Sequence, residues 1–554
     1  MHFYINKVKY IVNFNANACI KEDILDKASI LHIPDSSYAF SIDEKTFVIR
    51  LKCKKYDNID EVNILYGNKY EFYRTRFSKK MEIKYEDEYN SYYEVTLNLE
   101  DRRLGYIFTI KSEGKLWYYS EDGFSLTYDF NYCYFNIFQY PYINEADIMR
   151  TTDWFRNSVF YQIFVERFNR GIDNKDTKYI TMGINDKPCG NSFYGGDLQG
   201  IADKLEYING LGVNALYLTP IFKSISNHKY DIMDYDMIDE MFGNDEIFSN
   251  LVKKAHSLGI RIVIDVVFNH CSNLHPIFQD VLKNGKNSKY YDFFIEKDDY
   301  YYTFADCKHM PKLNTSKKVV QDYLINTTLS WIEKYDIDGL RMDVADELSH
   351  DFLRRYRKEV RAKKEDCVMI VEDWHDTRSF LNGDEFDSTM NYPFTKACLD
   401  YFVFESIDEK DLSNRLNSIL VRYKTQANQM NFNLLDSHDT PRYITLVKND
   451  KNKFMASLSL LMFFIGVPCI YYGTEIMLEG NGDPDCRRAM DFSKKPIKEI
   501  LDIISLRKNK ALVYGDIKIF EKNNKFYIKR MYKGKEAILE IFKDNGVVKY
   551  MFKN

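Results

Sequence analysis

The sequence predicts a multidomain chain: an N-terminal β-sandwich, a central (β/α)8 TIM barrel with an excursion after strand 3, and a small C-terminal β domain. Three observations predict this. Residues 1–130 carry short alternating or β-branched runs separated by Asp-Asn, Gly-Asn and Asp-Glu breaks. From about residue 159, eight short apolar runs alternate with longer helical stretches. From about residue 496, one short helical pattern is followed by four alternating runs.

The elements follow in order. In the first unit, Thr46-Phe-Val-Ile-Arg-Leu-Lys52, Val62-Asn-Ile-Leu-Tyr66 and Tyr92-Tyr-Glu-Val-Thr-Leu-Asn98 place apolar side chains at every second position, the period of a half-buried strand. A polar, aromatic connector covers 129–150 and opens the central domain, expected over 131–495. The eight barrel strands are expected at 159–164, 213–218, 261–267, 338–342, 368–372, 386–390, 431–435 and 468–472, with helices such as 248–258 and 318–334 between them. Residues 271–317, between the third strand and its helix, form an excursion over the barrel mouth, and so long a loop in a compact domain is usually functional. The C-terminal unit, 496–554, is expected to form strands at 517–520, 526–531, 537–542 and 547–552.

Composition excludes several classes. The 554 residues carry 82 acids and 77 bases, a net charge of −5, and that near balance argues against a nucleic-acid surface, which would want a basic stripe. Aromatics make up 16%, with 44 Tyr; a compositional bias explains most of them, and stacking on sugar rings a few. The 10 Cys are scattered and form no C-x-x-C pair, which argues against a zinc or redox motif and for a reducing, cytoplasmic setting. Residues 1–21 show no signal-peptide pattern. The uncharged stretch 455–474 has the length of a membrane span, but Gly466 and Pro468 break it, and it reads as a buried helix followed by a buried strand.

Four segments place acids at the ends of expected strands: Asp265-Val-Val-Phe-Asn269-His270, Asp338-Gly-Leu-Arg341-Met-Asp343, Val371-Glu372-Asp373-Trp374-His375-Asp376 and Asp436-Ser-His438-Asp439. The active site of such a barrel lies at those C-terminal ends. Asp343, Glu372 and Asp439 are the catalytic candidates, and carboxylates accompanied by His and Arg are what cutting a glycosidic bond requires. Arg341 lies two residues from Asp343 on one strand face, so it is expected to hold that carboxyl ionised and lower its pKa. Glu372 closes an apolar run, which is expected to raise its pKa as a general acid needs. Each acid alone reads equally well as a helix cap or a structural ion pair; four at neighbouring strand ends do not.

These segments resemble the signature regions of the α-amylase family of glycoside hydrolases. Met310-Pro311-Lys312-Leu313-Asn314 is similar to the signature of its neopullulanase, cyclomaltodextrinase and maltogenic amylase group. Phe160-Tyr161-Gln162-Ile163-Phe164, the Ser192 to Gly200 segment, His228-Lys-Tyr230-Asp231, Asn391-Tyr392-Pro393-Phe394 and Gly482 to Arg488 fit the same group. The resemblance implies that Asp343 is the nucleophile, Glu372 the acid/base, and Asp439 the third carboxylate, which binds sugar hydroxyls. It implies that His270, Arg341 and His438 hold the sugar, that Tyr230 is an aromatic platform beneath it, and that Asp483 and Arg487 reach the same sugar. The resemblance also implies a structural role for Asn269 beside His270, and it places Trp374 and Glu347 where this group shapes the acceptor side.

The implied activity is retaining hydrolysis of α-1,4 bonds, with α-1,6 bonds as a second candidate, in cyclomaltodextrins, pullulan and maltooligosaccharides, with transglycosylation where a sugar replaces water. The alternatives are an oligosaccharide α-1,6-glucosidase or transglycosidase, and a catalytically silent glycan-binding relative. No organic cofactor, nucleic acid or membrane partner is implied; a homodimer is. Departures bear on metal. After Asp343 the chain reads Val-Ala-Asp346-Glu347, which argues against a central calcium site. A second calcium loop of this group is matched at Asp176, Gly195 and Asp197, while Arg170, Ile172 and Lys175 stand where ligands are expected. Val371 stands where Gly is usual, and Asp373 adds an acid beside Glu372.

Overall fold

The computed structural model describes residues 25–553; the 1–21 segment read for a signal peptide lies outside the described residues. The N-terminal unit is two antiparallel sheets packed face to face. One contains Ala39–Ser41, Thr46–Lys54, Asn90–Asn98 and Glu82–Glu86; the other is built on Glu61–Gly67 and Leu104–Ser112. The alternating residues Phe47, Ile49, Leu51 and Val62, Ile64 face each other in its core. This unit runs further than the expected boundary at residue 130. Phe138–Tyr140 pairs antiparallel with Leu104–Ser112, because Phe138 buries its ring against Tyr106 and Phe108.

All eight expected barrel strands form, in chain order: Phe160–Ile163, Ala215–Leu218, Arg261–Val266, Gly339–Met342, Val368–Val371, Ser388–Thr389, Phe432–Leu434 and Val467–Tyr471. Every strand pairs in parallel with its sequence neighbour, the eighth returns to the first, and a parallel bridge from Met390 to Phe432 closes the ring between sixth and seventh. The interior is filled by Phe160, Tyr217, Val263, Ile370, Phe432 and Val467, so the barrel is a packed core and not a pore. The sixth and seventh strands are shorter than their apolar runs, and their closure combines a backbone bond, Asn391 N to Phe432 O at 2.8 Å, with a side-chain bond, Asn391 Nδ2 to Asn433 Oδ1 at 2.8 Å.

The excursion after the third strand holds the helix Pro276–Asn284 and a two-residue-strand hairpin, Glu296–Lys297 with Tyr300–Tyr301. It returns antiparallel to its own start through a bridge from His270 to Lys312, which lays residues 302–313 along the barrel mouth. The uncharged stretch is the helix Lys451–Phe463 followed by the eighth strand, and no helix among the described residues is long and apolar enough to cross a membrane. The C-terminal sheet, Asp516–Glu521, Phe526–Tyr532, Lys535–Asp544 and Val547–Lys553, is a four-stranded antiparallel meander. Between it and the eighth strand lie two helices, Lys498–Ser505 and Lys510–Tyr514, where one was expected.

Buried polar side chains clamp the units together. Arg50 donates to Tyr423 O at 2.9 Å, joining sandwich to barrel, and Arg530 donates to Phe463 O at 2.8 Å, joining the last sheet to the barrel. The nine described cysteines are free thiols.

Candidate active site

The register of the third and fourth strands builds the site. Asp265 and Arg341 are parallel partners, so both side chains leave the same face toward the mouth, and Arg341 Nη1 sits 3.0 Å from both Asp265 oxygens. Tyr217 and Tyr230 donate to the same Asp265 oxygen at 2.6 and 2.7 Å. Asp265 is thus fully satisfied, and its work is to hold Arg341 and Tyr230 in place. Sequence reasoning quoted Asp265 but gave it no role. Its signal was an acid inside the apolar run 261–267, which must find buried partners.

The fixed Arg341 then spans two carboxyl groups. Nη1 donates to Asp343 Oδ1 at 3.0 Å, and Nη2 forms an ion pair with Glu372 Oε2 at 2.8 Å without an aligned hydrogen bond. Asp343 and Glu372 therefore stand at the two ends of one guanidinium, just past the fourth and fifth strands. The main chain adds a hold on Glu372. Val344, a β-branched residue, adopts left-handed φ 46°, and its N–H donates to Glu372 Oε2 at 3.0 Å. That conformation costs about 1–3 kcal/mol in such a residue and persists because the strand end and the carboxylate fix it.

The electrostatics correct one expectation. Burial first, and then the neighbouring Glu372 carboxylate, push the Asp343 carboxyl well above its usual range, against the pull of Arg341. The sequence shows the adjacent Arg341 but not the other acids the barrel gathers around it. One cation facing Asp265, Asp343 and Glu372 cannot keep three buried carboxylates ionised equally well. Asp373 does not crowd Glu372: its carboxylate turns back to accept the His375 N–H at 2.8 Å.

The remaining site residues converge on the same cleft, of about 390 Å³. Tyr230, His270, Asp343, Glu372, Asp439, Asp483 and Arg487 line it, while Arg341 and His438 lie behind. Gln162 Nε2 donates to His438 Nδ1 at 2.8 Å, so the other ring nitrogen carries the proton toward the Tyr230 hydroxyl, 2.5 Å away. The Tyr230 and His438 rings stack at 5.5 Å, with their planes 6° apart. Burial, helped by Arg487, holds His438 neutral. His270 is neutral as well: burial, and after it Lys312, depress it to about 3. Its two nitrogens are buried without an aligned hydrogen bond, and its ring stacks on Phe304 at 4.8 Å. An unsatisfied neutral imidazole at a cleft wall is suited to a ligand hydroxyl. Arg487 donates to His438 O at 2.8 Å, contacts Asp439 Oδ1 at 3.3 Å and pairs with Asp483 at 3.0 Å.

On the other side of the cleft, Trp374 stacks flat on Tyr392 at 3.8 Å and stays 49% exposed, an open aromatic face. Lys312 ties the returning excursion to Asn269 Oδ1 and, at 2.8 Å, to Glu347. Phe304 and Met310 from that excursion also line the cleft. Sequence reasoning did not single them out as wall residues, since only the bridge from His270 to Lys312 shows which way the excursion folds back.

Asp176, Gly195 and Asp197 do not come together as a cation site. Asp176 faces solvent and accepts the Lys178 N–H at 3.0 Å. Gly195 O and Asp197 Oδ2 are taken by the Lys175 ammonium, at 2.7 and 3.0 Å. With a lysine nitrogen on two of the expected oxygens and the third acid turned away, these residues do not fit a calcium ion, which needs six to eight oxygens.

Comparison with known proteins places the chain among glycoside hydrolases. The sequence model of the α-amylase catalytic domain matches residues 162–300 and 296–523, and that of the α-amylase N-terminal Ig-like domain matches 25–144. The chain is 39% identical over 529 residues to a cyclomaltodextrinase of Thermoanaerobacter pseudethanolicus, covering 93% of this chain and 92% of that one. It is 38% identical over 548 residues to an intracellular maltogenic amylase of Bacillus subtilis, covering 95% and 92%. A solved cyclomaltodextrinase structure superposes with a TM-score of 0.89 at 37% identity, covering 93% of this chain and 91% of that one.

Proposed function

The chain belongs to the α-amylase family of glycoside hydrolases, and from that premise we propose that it is a retaining hydrolase of short α-glucans: cyclomaltodextrins, pullulan and maltooligosaccharides. It cuts α-1,4 bonds and also α-1,6 bonds, and a sugar hydroxyl competes with water for the intermediate. The observation that carries this reading is the placement of Asp343 and Glu372 on the two ends of one guanidinium, in a cleft that His270 also lines. Two carboxyl groups shared by one guanidinium support the short spacing of the retaining arrangement over the wider one that admits a water between them.

The chemistry follows from which oxygens are free. Arg341 holds Asp343 Oδ1, so Oδ2 is the oxygen that attacks the anomeric carbon. Val344 N–H and Arg341 hold Glu372 Oε2, so Oε1 carries the proton to the leaving glycosidic oxygen. The bond to the leaving sugar breaks as the bond to Asp343 forms. Glu372, now ionised, takes a proton from water or from an acceptor sugar, whose oxygen displaces Asp343. His270 and Asp439 bind hydroxyls of the reacting sugar, and Tyr230, held from behind by His438, offers it a ring face. The walls from Phe304, Met310 and Trp374 favour short or cyclic chains over granular starch.

The protein works as a cytoplasmic homodimer in this reading. Its unpaired thiols and its likeness to a relative named intracellular support the first part. An exposed aromatic face on the N-terminal unit, with Tyr132, Tyr134 and Phe135 at 63%, 56% and 74% exposure, supports a partner copy. Product analysis on β-cyclodextrin, pullulan and soluble starch tests the substrate assignment. Ring opening of cyclodextrin and panose from pullulan, both faster than starch cleavage, are expected; starch cleaved fastest overturns it. Light scattering at micromolar concentration should give twice the chain mass, and a strict monomer removes the dimer.

A further inference from the structure

We propose that Lys175 is a built-in cation: its ammonium does, inside the protein, what a bound divalent metal would do for the loop 170–197, so the enzyme needs no calcium. The Lys175 side chain is 4% exposed and the Asp197 side chain 0%. A lysine is seldom so enclosed without a specific partner. Here the nitrogen sits between Gly195 O at 2.7 Å and Asp197 Oδ2 at 3.0 Å.

The rest of the cage is already filled. Asp197 Oδ1 accepts from Gly200 N at 2.7 Å and Gly171 N at 3.0 Å, and Oδ2 also accepts from Ile172 N at 3.3 Å. A metal entering the position of Nζ would have to expel the ammonium and would still find few oxygens. Among the described residues, no group of three or more His, Cys, Asp or Glu side chains is arranged to hold a metal ion.

The pair fastens a loop that reaches the cleft. Gly195, with φ 84°, ends a turn in which Tyr194 N and Gly195 N both donate to Glu166 Oε1, at 2.5 and 2.6 Å. Glu166 pairs with the buried Arg167, and Arg167 donates to Arg487 O at 2.9 Å and to Ser192 O at 2.8 Å. Arg487 is the residue that contacts Asp439 and Asp483. Loss of the internal cation would therefore loosen a wall of the cleft as well as the loop. Neither step depends on which glucan the enzyme prefers.

The test uses the full chain, dialysed against EDTA and then into metal-free buffer, with metal content read by mass spectrometry and melting temperature read with and without millimolar calcium. The wild type is expected to retain no stoichiometric calcium and to melt within about 1 °C in both conditions. Lys175→Met keeps an unbranched side chain of nearly the same reach and deletes the charge; it is expected to melt lower by roughly 3 °C or more and to show a raised KM. Stoichiometric calcium in the wild type, a melting point that falls on chelation and recovers with calcium, or a Lys175→Met variant that melts like the wild type would each overturn the proposal. The wild-type measurement decides the matter even if that variant does not fold.

Discussion

Asp343→Asn is expected to lower kcat/KM on every glucan the enzyme cleaves by on the order of 10⁴-fold or more, the loss typical of removing a nucleophile. The amide matches the carboxylate in shape, and its oxygen can still accept from Arg341 Nη1, so the fold should persist. Stability gives a second readout. Burial and Glu372 raise the Asp343 carboxyl above its unfolded value. A group of that kind adds stability at low pH and loses it as pH rises through the folded pKa. At pH 7 the wild type therefore carries an uncomfortable buried charge that the variant lacks. The variant should melt at or above the wild type at pH 7, with the gap closing toward pH 4. A variant that retains more than about a tenth of wild-type activity, roughly a thousand times what loss of a nucleophile leaves, would remove Asp343 from the reaction.

Glu372→Gln is expected to cost about 10²–10⁴-fold on natural glucans, whose leaving oxygen must be protonated. Aryl maltosides with an acidic phenol leave without that proton, so their first step should be much less affected. The same variant tests the coupling at Arg341. Glu372 is the second cause, after burial, of the raised Asp343 pKa. The acid limb of kcat/KM, which reports ionisation of the nucleophile in the free enzyme, should lie above the ordinary Asp range in the wild type and move to lower pH in the variant. Equal losses on both substrates, or an acid limb that does not move, would contradict these roles.

Much of this was legible in the residues. Period-two and apolar runs located all eight barrel strands, and the rule that such barrels work at strand ends selected Asp343, Glu372 and Asp439. What stayed hidden depends on pairing between distant segments. The partnership of Asp265 with Arg341 is a register between strands 76 residues apart. The Gln162, His438 and Tyr230 relay joins the first and seventh strand ends with the loop after the second. Val344 looks like any strand-end residue until its φ is known. The pKa of Asp343 was misjudged for the same reason: one neighbour in sequence is cationic, and several neighbours in space are anionic. Lys175 was visible as a departure, but only its burial on Gly195 and Asp197 shows that it fills the position it seemed to spoil.

A double displacement at Asp343 leaves its mark on the configuration of the first product. Proton NMR of the reducing ends released in the opening minutes of maltooligosaccharide hydrolysis, before mutarotation, should show the α-anomer. The β-anomer as first product would mean single displacement by water, with no covalent intermediate on Asp343.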